Sequence, residues 1–222
     1  MMEPYDISAQ LKPSGAKICG IRSVADYQHC TKVGAAFIGM VFFEKSPRHL
    51  SFQEAEVLKE VATSDGPIRV ALVVDATDAY LADICHYANP DMIQLHGNET
   101  PQRCADIRRN MNRPVMKALR IKDSDDVAQA ASYLGYVDWL LFDADSGNPD
   151  MPGGTGHHFN WQLLAGLDIT IPWMLAGGLK PDNLAQAKAQ TQACYFDVSS
   201  AVEAEKGVKD HALISAFVKA AQ

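Results

Sequence analysis

The sequence predicts one (β/α)8 barrel, the TIM-barrel architecture with parallel strands, and three observations predict it. From Lys17 onward, short apolar runs rich in β-branched residues alternate with longer segments of helical period, the pattern of repeated strand-helix units around a parallel sheet. The runs number eight. The chain has 222 residues, short for two average domains, and residues 17–222 divide into eight units of roughly 26, near the lower limit of an eightfold barrel. A doubly wound open sheet is the structural alternative, because periodicity does not distinguish a closed parallel sheet from an open one.

In chain order, residues 1–16 carry Pro4, Pro13, Ser14 and Gly15 without a sustained period and read as an N-terminal extension or loose tail, with the barrel domain at 17–222. Predicted strands are 17–20 (KICG), 36–42 (AFIGMVF), 68–74 (IRVALVV), 91–95 (DMIQL), 115–119 (VMKAL), 137–142 (VDWLLF), 172–176 (PWMLA) and 195–198 (YFDV). Between and after them, helices are expected at 23–33, 52–63, 78–88, 101–109, 124–134, 159–166, 182–190 and 210–220. Ser51, Thr77 and Asp123 precede three of these as capping residues, each with an oxygen able to accept from first-turn amides.

Composition narrows the function. Apolar residues make up 47% and charged residues 21%, ordinary globular usage. Lys plus Arg is 20 against 27 for Asp plus Glu, a formal charge of −7, and a surface of that sign repels phosphate backbones and anionic lipid. Neither nucleic acid nor a membrane is an expected partner. No apolar run approaches the roughly 20 residues of a membrane span, and MMEPYDISAQ lacks the layout of a secretion signal. The five cysteines, at 19, 30, 85, 104 and 194, form no CxxC and no tight Cys/His cluster. That argues for a reducing cytoplasm, with no disulfide framework and no metal site. Even His29-Cys30 and Cys85-His86 are poor ligand pairs, since sequence neighbours diverge on a helix.

In a barrel, the C-terminal ends of the strands converge on one face, where the chemistry belongs. Strand 1 ends in Cys19-Gly20, strand 2 runs into Glu44-Lys45-Ser46-Pro47-Arg48, strand 4 into His96-Gly97, strand 6 into Asp143, strand 7 into Gly177-Gly178 and strand 8 into Ser199-Ser200. Gly177 and Gly178 allow close backbone approach, and Ser199 and Ser200 add hydroxyls and amides in the next loop, so a phosphorylated small molecule is the expected ligand. Amides and helix ends let an acidic protein hold an anion without a basic patch. Gly153-Gly154-Thr155-Gly156 reads as a lid, with Gly154 counted among the substrate-binding positions; lacking a following Lys-Ser/Thr, it is no nucleotide P-loop. Cys19 and Asp143 are the candidate catalytic pair, thiolate as base and carboxylic acid as proton donor, with burial among Trp139, Leu140, Leu141 and Phe142 expected to keep the acid protonated.

Six ordered blocks then carry a resemblance: KICGIRS at 17–23, GAAFIGMVFFEKSPRHLS at 34–51, DMIQLHGNET at 91–100, LLFDADSG through GGTGHHFNW at 140–161, LAGGLKPDN at 175–183 and FDVSSAVE at 196–203. Together they make the chain similar to the phosphoribosylanthranilate isomerase family of tryptophan biosynthesis. By that resemblance Cys19 is the general base and Asp143 the general acid, Arg48 holds the anthranilate carboxylate, and Asp197 contacts the substrate. Gly177, Gly178, Ser199 and Ser200 fall in the phosphate loops. The resemblance implies no metal or organic cofactor, and a monomer.

The chain departs from the family after GGTG, where His157 stands at a position often occupied by Lys, followed by His158. His96 matches the QLHG block and reads as supporting rather than catalytic. Two rival barrels fit less well: the histidine-pathway aminoaldose isomerase uses two carboxylates where this chain has Cys19, and indole-glycerol-phosphate synthase needs catalytic lysines that Lys17 or Lys117 alone does not supply. A non-catalytic sugar-phosphate-binding barrel is the alternative from another class, disfavoured by the set Cys19, Asp143 and Arg48.

Overall fold

The computed structural model describes residues 5–144 and 161–222. Eight parallel strands close on themselves in chain order: β1 (Gly15–Cys19), β2 (Phe37–Val41), β3 (Ile68–Val73), β4 (Met92–Leu95), β5 (Val115–Ile121), β6 (Trp139–Ala144), β7 (Trp173–Ala176) and β8 (Tyr195–Val198). Around them run α1 (Val24–Val33), α2 (Phe52–Val61), α3 (Asp78–Ala88), α4 (Pro101–Met111), α5 (Ser124–Gln129), α6 (Leu184–Thr191) and α7 (His211–Ala221). The open-sheet alternative is excluded by the pairing of β1 with β8, from Gly15↔Tyr195 to Ile18↔Val198. No helix of the described residues is long and apolar enough to cross a membrane.

The helices begin where an oxygen can hold first-turn amides. Ser51 accepts from the Glu54 amide while Glu54 reaches back to the Ser51 amide, a complete capping box on α2. Thr77, Thr100 and Asp123 cap α3, α4 and α5 likewise, the second with Pro101 in the first turn.

Two apolar layers follow from the two-residue alternation of the strands. One face packs on the helices through residues such as Ile18, Ile38, Ile93, Leu140 and Phe196. The other fills the barrel interior with Phe37, Val70, Met92, Met116, Trp139, Leu141, Met174 and Tyr195. Phe37, Trp139 and Tyr195 meet edge to face, with centroids 5.0–5.7 Å apart. The barrel is thus plugged near its N-terminal end, and polar side chains are left to the opposite mouth.

The expected strand 1 boundary at Lys17 falls inside β1, which starts at Gly15. Gly15 reads as a breaker in sequence, but here it pairs with Tyr195, and a Cβ on it would lie 2.7 Å from the Ala36 Cβ. Its missing side chain is a packing requirement. The residues ahead of β1 are tied down as well: Ile7 is buried, Tyr5 and Leu11 pack against the interior layer, the Tyr5 hydroxyl donates to Asp91 at 2.6 Å, and Tyr195 donates to the Lys12 carbonyl. They close the end of the barrel away from the site.

Other boundaries moved for local reasons. The helix expected at 124–134 is α5 followed by a 3-10 turn at Ala130–Tyr133, and within 159–166 the described part is a 3-10 turn at Trp161–Leu164. After β8, a turn at Ser200–Val202 leads into a small antiparallel hairpin, β9 (Glu203–Glu205) and β10 (Val208–Lys209), before α7. The sequence reading contained no such hairpin, whose strands are too short to show a period.

Candidate active site

On β1, Lys17 and Cys19 are two residues apart and share the interior face. Opposite Cys19 in the ladder stands Gly39, and a Cβ there would lie 2.8 Å from Cys19 Sγ and 3.1 Å from Lys17 Nζ. Glycine therefore opens the space that both side chains occupy. Lys17, fully buried, donates from Nζ to Asp197 Oδ1 at 2.9 Å. Burial disfavours its ammonium, yet Asp197 and Cys19 outweigh that and move its pKa upward.

Burial pushes the Cys19 thiol above its ordinary range; Lys17, Lys209 and Arg48 pull the other way, and Asp197 adds to the rise. The resting group is therefore a thiol. Those cations are present but do not offset desolvation. Asp197 is itself pushed up by burial, against the pull of Lys17.

Asp143 is the penultimate residue of β6, buried, in register with Arg120 of β5 and Ala176 of β7. It shares the interior face with Trp139 and Leu141, and only β7 and β8 separate its strand from that of Cys19. His96 Nε2 lies 3.4 Å from Asp143 Oδ2 but makes no hydrogen bond among the described residues. Two residues earlier, Gln94 is fully buried with neither amide atom partnered among them. Buried polar groups are normally satisfied, so Gln94 on β4 and His96 just past its end have bonding capacity to spare.

Arg48 lies in the β2–α2 loop, its amide donating to Ser46 Oγ. Its side chain crosses Gly20, where a Cβ would lie 2.7 Å from Arg48 Cδ and where φ is +85°. Glycine is needed there on both counts. The guanidinium is already engaged: Nε donates to Glu203 Oε1 at 2.6 Å and Nη2 to Glu203 Oε2 at 2.8 Å. Lys209 joins them, donating to Glu203 Oε1 at 2.9 Å and to the Ser199 carbonyl at 3.0 Å. Burial alone would raise the Glu203 pKa, but Arg48 and Lys209 bring it down to about 2.

Gly177 and Gly178 have φ of +90° and +63°, left-handed values that glycine adopts without strain. Asn183 holds their turn, accepting from the Lys180 amide at 2.7 Å and donating to the Gly178 carbonyl at 2.9 Å. Ser199 donates its hydroxyl to the Cys19 carbonyl at 3.2 Å, stitching β8 to β1, and Ser200 opens the following 3-10 turn. Gly154, His157 and His158, with the expected lid at 153–156, lie outside the described residues. Among the described residues, no group of three or more His, Cys, Asp or Glu could hold a metal ion.

Cys19, Asp143, Asp197, Ser199 and the two glycines are thus brought to one mouth, with Arg48 reaching over it. Sequence reasoning missed Lys17, Gln94, Glu203 and Lys209 as members of the site. Lys17 was open to discovery, since period 2 on a strand ending in Cys19 places it on the same face. Glu203 and Lys209 were not, because their pairing depends on the hairpin.

Comparison with known proteins bears on the barrel as a whole. The sequence profile described as N-(5′-phosphoribosyl)anthranilate isomerase matches residues 16–220. The enzyme of that name from Cereibacter sphaeroides is 45% identical over 207 residues, covering 93% of this chain and 97% of that protein. The one from Agrobacterium fabrum is 42% identical over 208 residues, covering 93% and 94%. Among solved structures, the Thermotoga maritima phosphoribosyl anthranilate isomerase superposes with a TM-score of 0.85 at 31% identity, covering 94% of this chain and 98% of that one. A further isomerase structure, in complex with reduced 1-(o-carboxyphenylamino)-1-deoxyribulose 5-phosphate, gives 0.82 at 30%, with the same coverage. The Thermotoga maritima protein is also described as dimeric. With a profile spanning nearly the whole barrel and relatives well above 30% identity, the chain belongs to the N-(5′-phosphoribosyl)anthranilate isomerase family.

Proposed function

We propose that this barrel converts N-(5′-phosphoribosyl)anthranilate to 1-(2-carboxyphenylamino)-1-deoxyribulose 5-phosphate, the isomerase step of tryptophan biosynthesis, with Asp143 as general acid and Cys19 as general base. The observation that carries the assignment of roles is that these two residues, on strands separated by only two others, are buried at the same mouth of the barrel. An Amadori rearrangement needs one proton delivered and another removed. Asp143 protonates the furanose ring oxygen, the C1′–O bond breaks, and a Schiff base forms. Cys19, as thiolate, removes the C2′ proton, giving an enolamine that takes a proton at C1′ and gives up the proton of its C2′ hydroxyl to become the ketone. No electrons leave the substrate, so no cofactor enters the scheme, and solvent exchange returns the proton to Asp143 and removes it from Cys19.

The remaining residues then have roles as binders. Lys17 is the nearest cation to Cys19 and favours departure of its proton. Arg48 is read as the partner of the anthranilate carboxylate, a planar anion that a guanidinium meets with two parallel bonds. The amides around Gly178 and Ser200 are read as the phosphate site, in the position where barrels hold phosphate after strands 7 and 8, and Asp197 as a group facing the ribose. We read the protein as cytoplasmic, on the support of five free thiols. A monomer is supported by the scatter of the large exposed apolar residues, Val57, Tyr136, Val208 and Leu213, over separate segments. Adding purified protein to the fluorescent substrate tests the activity directly: the fluorescence decays if the barrel is the isomerase. Binding without decay would instead identify a sugar-phosphate-binding module.

A further inference from the structure

A guanidinium has five N–H donors on three edges, and Glu203 takes only one of those edges. It engages Nε and Nη2, while both N–H groups of Nη1 and the second on Nη2 make no hydrogen bond among the described residues. The free pair, Nη1 with Nη2, is a second fork of the right shape for another carboxylate. Glu203 itself has nothing left to offer: it accepts twice from Arg48, once from Lys209 and once from the Gly207 amide at 3.1 Å, filling the four acceptor positions of its two oxygens. A carboxylate bound on every side does not swing. Side-chain exposures of 4% for Glu203 and 1% for Lys209, against 18% for Arg48, leave the arginine as the member that reaches toward a ligand.

Charge points the same way. Two cations surround one carboxylate, so the cluster keeps one positive charge in excess. Lys209 also donates to the carbonyl of Ser199, directly before the turn at Ser200–Val202. One connected set of hydrogen bonds therefore runs from the Arg48 fork through Glu203 and Lys209 to the last loop of the barrel.

We propose that Glu203 and Lys209 are positioning residues that hold the free fork of Arg48 at the place of the substrate carboxylate and fix it relative to the phosphate turn. This rests on the reading of Arg48 given above. An unheld arginine has long, freely rotating torsions to immobilise on binding. With its outer edge clamped, most of that ordering is complete before the substrate arrives. A latch, in which Glu203 competes with the substrate for the arginine, makes the opposite prediction.

The test compares two product analogues, one with the ring carboxylate and one without, as inhibitors of wild type, Arg48→Ala, Glu203→Gln, Glu203→Asp and the Arg48→Ala/Glu203→Gln double variant. Glu203→Gln should weaken the carboxylate analogue at least tenfold and the other less than about threefold, with KM raised far more than kcat is lowered. The double variant should bind the carboxylate analogue no more weakly than Arg48→Ala alone. Should Glu203→Gln fail to fold, Glu203→Asp keeps the charge but shortens the arm, and should show the same selectivity at smaller amplitude. Equal weakening of both analogues would reduce Glu203 to a structural role, and tighter binding of the carboxylate analogue would establish the latch; either overturns the proposal. If Arg48→Ala weakens both analogues equally, or neither, the reading of Arg48 itself falls, and the proposal with it. If Arg48→Ala selectively weakens the carboxylate analogue but neither Glu203 variant does, the proposal alone falls.

Discussion

Gly39 stands opposite Cys19 in the β1–β2 ladder, and a single methyl group on it would lie 2.8 Å from the sulfur and 3.0 Å from the Cys19 Cα. Backbone cannot yield as a flexible side chain does. Gly39→Ala should displace Cys19 and lower kcat at least tenfold, while overpacking costs about 1–3 kcal/mol of stability. Steady-state kinetics and a denaturant melt check this, and wild-type values in both would show that the space is not needed.

Cys19→Ser and Asp143→Asn should each reduce kcat by at least about a hundredfold, the lower range for a positioned acid or base, with folding retained. Serine is nearly isosteric but far less acidic, and asparagine cannot donate a carboxylic proton. A fully active Cys19→Ser protein would remove the thiol from the mechanism.

Because burial raises the Cys19 pKa from an ordinary 9.0, the thiolate fraction grows about tenfold per pH unit through neutrality. Activity also needs Asp143 protonated, so the thiol is followed directly: the ultraviolet thiolate absorbance that Cys19→Ser removes should appear only above pH 9. The fold has the opposite dependence. Cys30 and Cys104 are raised by burial to about 12 and about 11, so above pH 9 the native state binds more protons than the unfolded chain. The unfolding free energy should therefore fall there. Thiolate absorbance already complete below pH 9 would mean that Lys17 outweighs desolvation at the thiol.

Much of this architecture was legible because strand and helix periods differ and each chemical group sits at the same end of its strand. The run of Cys19, Asp143, Gly177-Gly178 and Ser199-Ser200 survives the loss of a residue or two at any boundary, so the sequence alone is enough to assemble the mouth. Gly15 misled, since a glycine required for contact with Ala36 looks in sequence like one required for a turn. The direction of the Cys19 shift was not legible either, since it depends on how far burial exceeds the pull of three cations brought from β1, the β2 loop and β10. Glu203 was hidden for a similar reason, its partners lying 155 residues before it and 6 after it.

The buried pair Lys17–Asp197 allows stability and activity to be separated. Lys17→Met leaves the Asp197 carboxylate buried without its partner and should destabilise the protein by about 3–5 kcal/mol. Adding Asp197→Leu removes the stranded charge and should recover much of that loss. Activity should not return with it, because the double variant lacks both the cation nearest Cys19 and the carboxylate read as facing the ribose. Thermal melts beside kcat for the single and double variants check this, and recovered kcat in the double variant would exclude a role for Lys17 beyond charge balance.

Inorganic phosphate should compete with the substrate, held mainly by main-chain amides near Gly178 and Ser200. The chain carries a formal charge of −7, and neither glycine-serine turn contains a Lys or Arg apart from Lys180, just past the first. Lys180 enters the local bonding through its amide, which donates to Asn183 Oδ1, a contact that survives truncation of the side chain. Fixed amide dipoles must then supply most of the attraction. Lys180→Ala should leave phosphate inhibition within a few fold. Gly178→Val should abolish it, since φ of +63° is strained for a β-branched residue and the side chain would fill the space of the anion. Asn183→Ala gives the intermediate case: it removes the side chain that fixes the turn at both the Lys180 amide and the Gly178 carbonyl, so phosphate should weaken without a change in charge. A crystal soaked in phosphate decides the matter, and an anion found elsewhere, held by a cluster of Lys and Arg side chains, would refute the assignment.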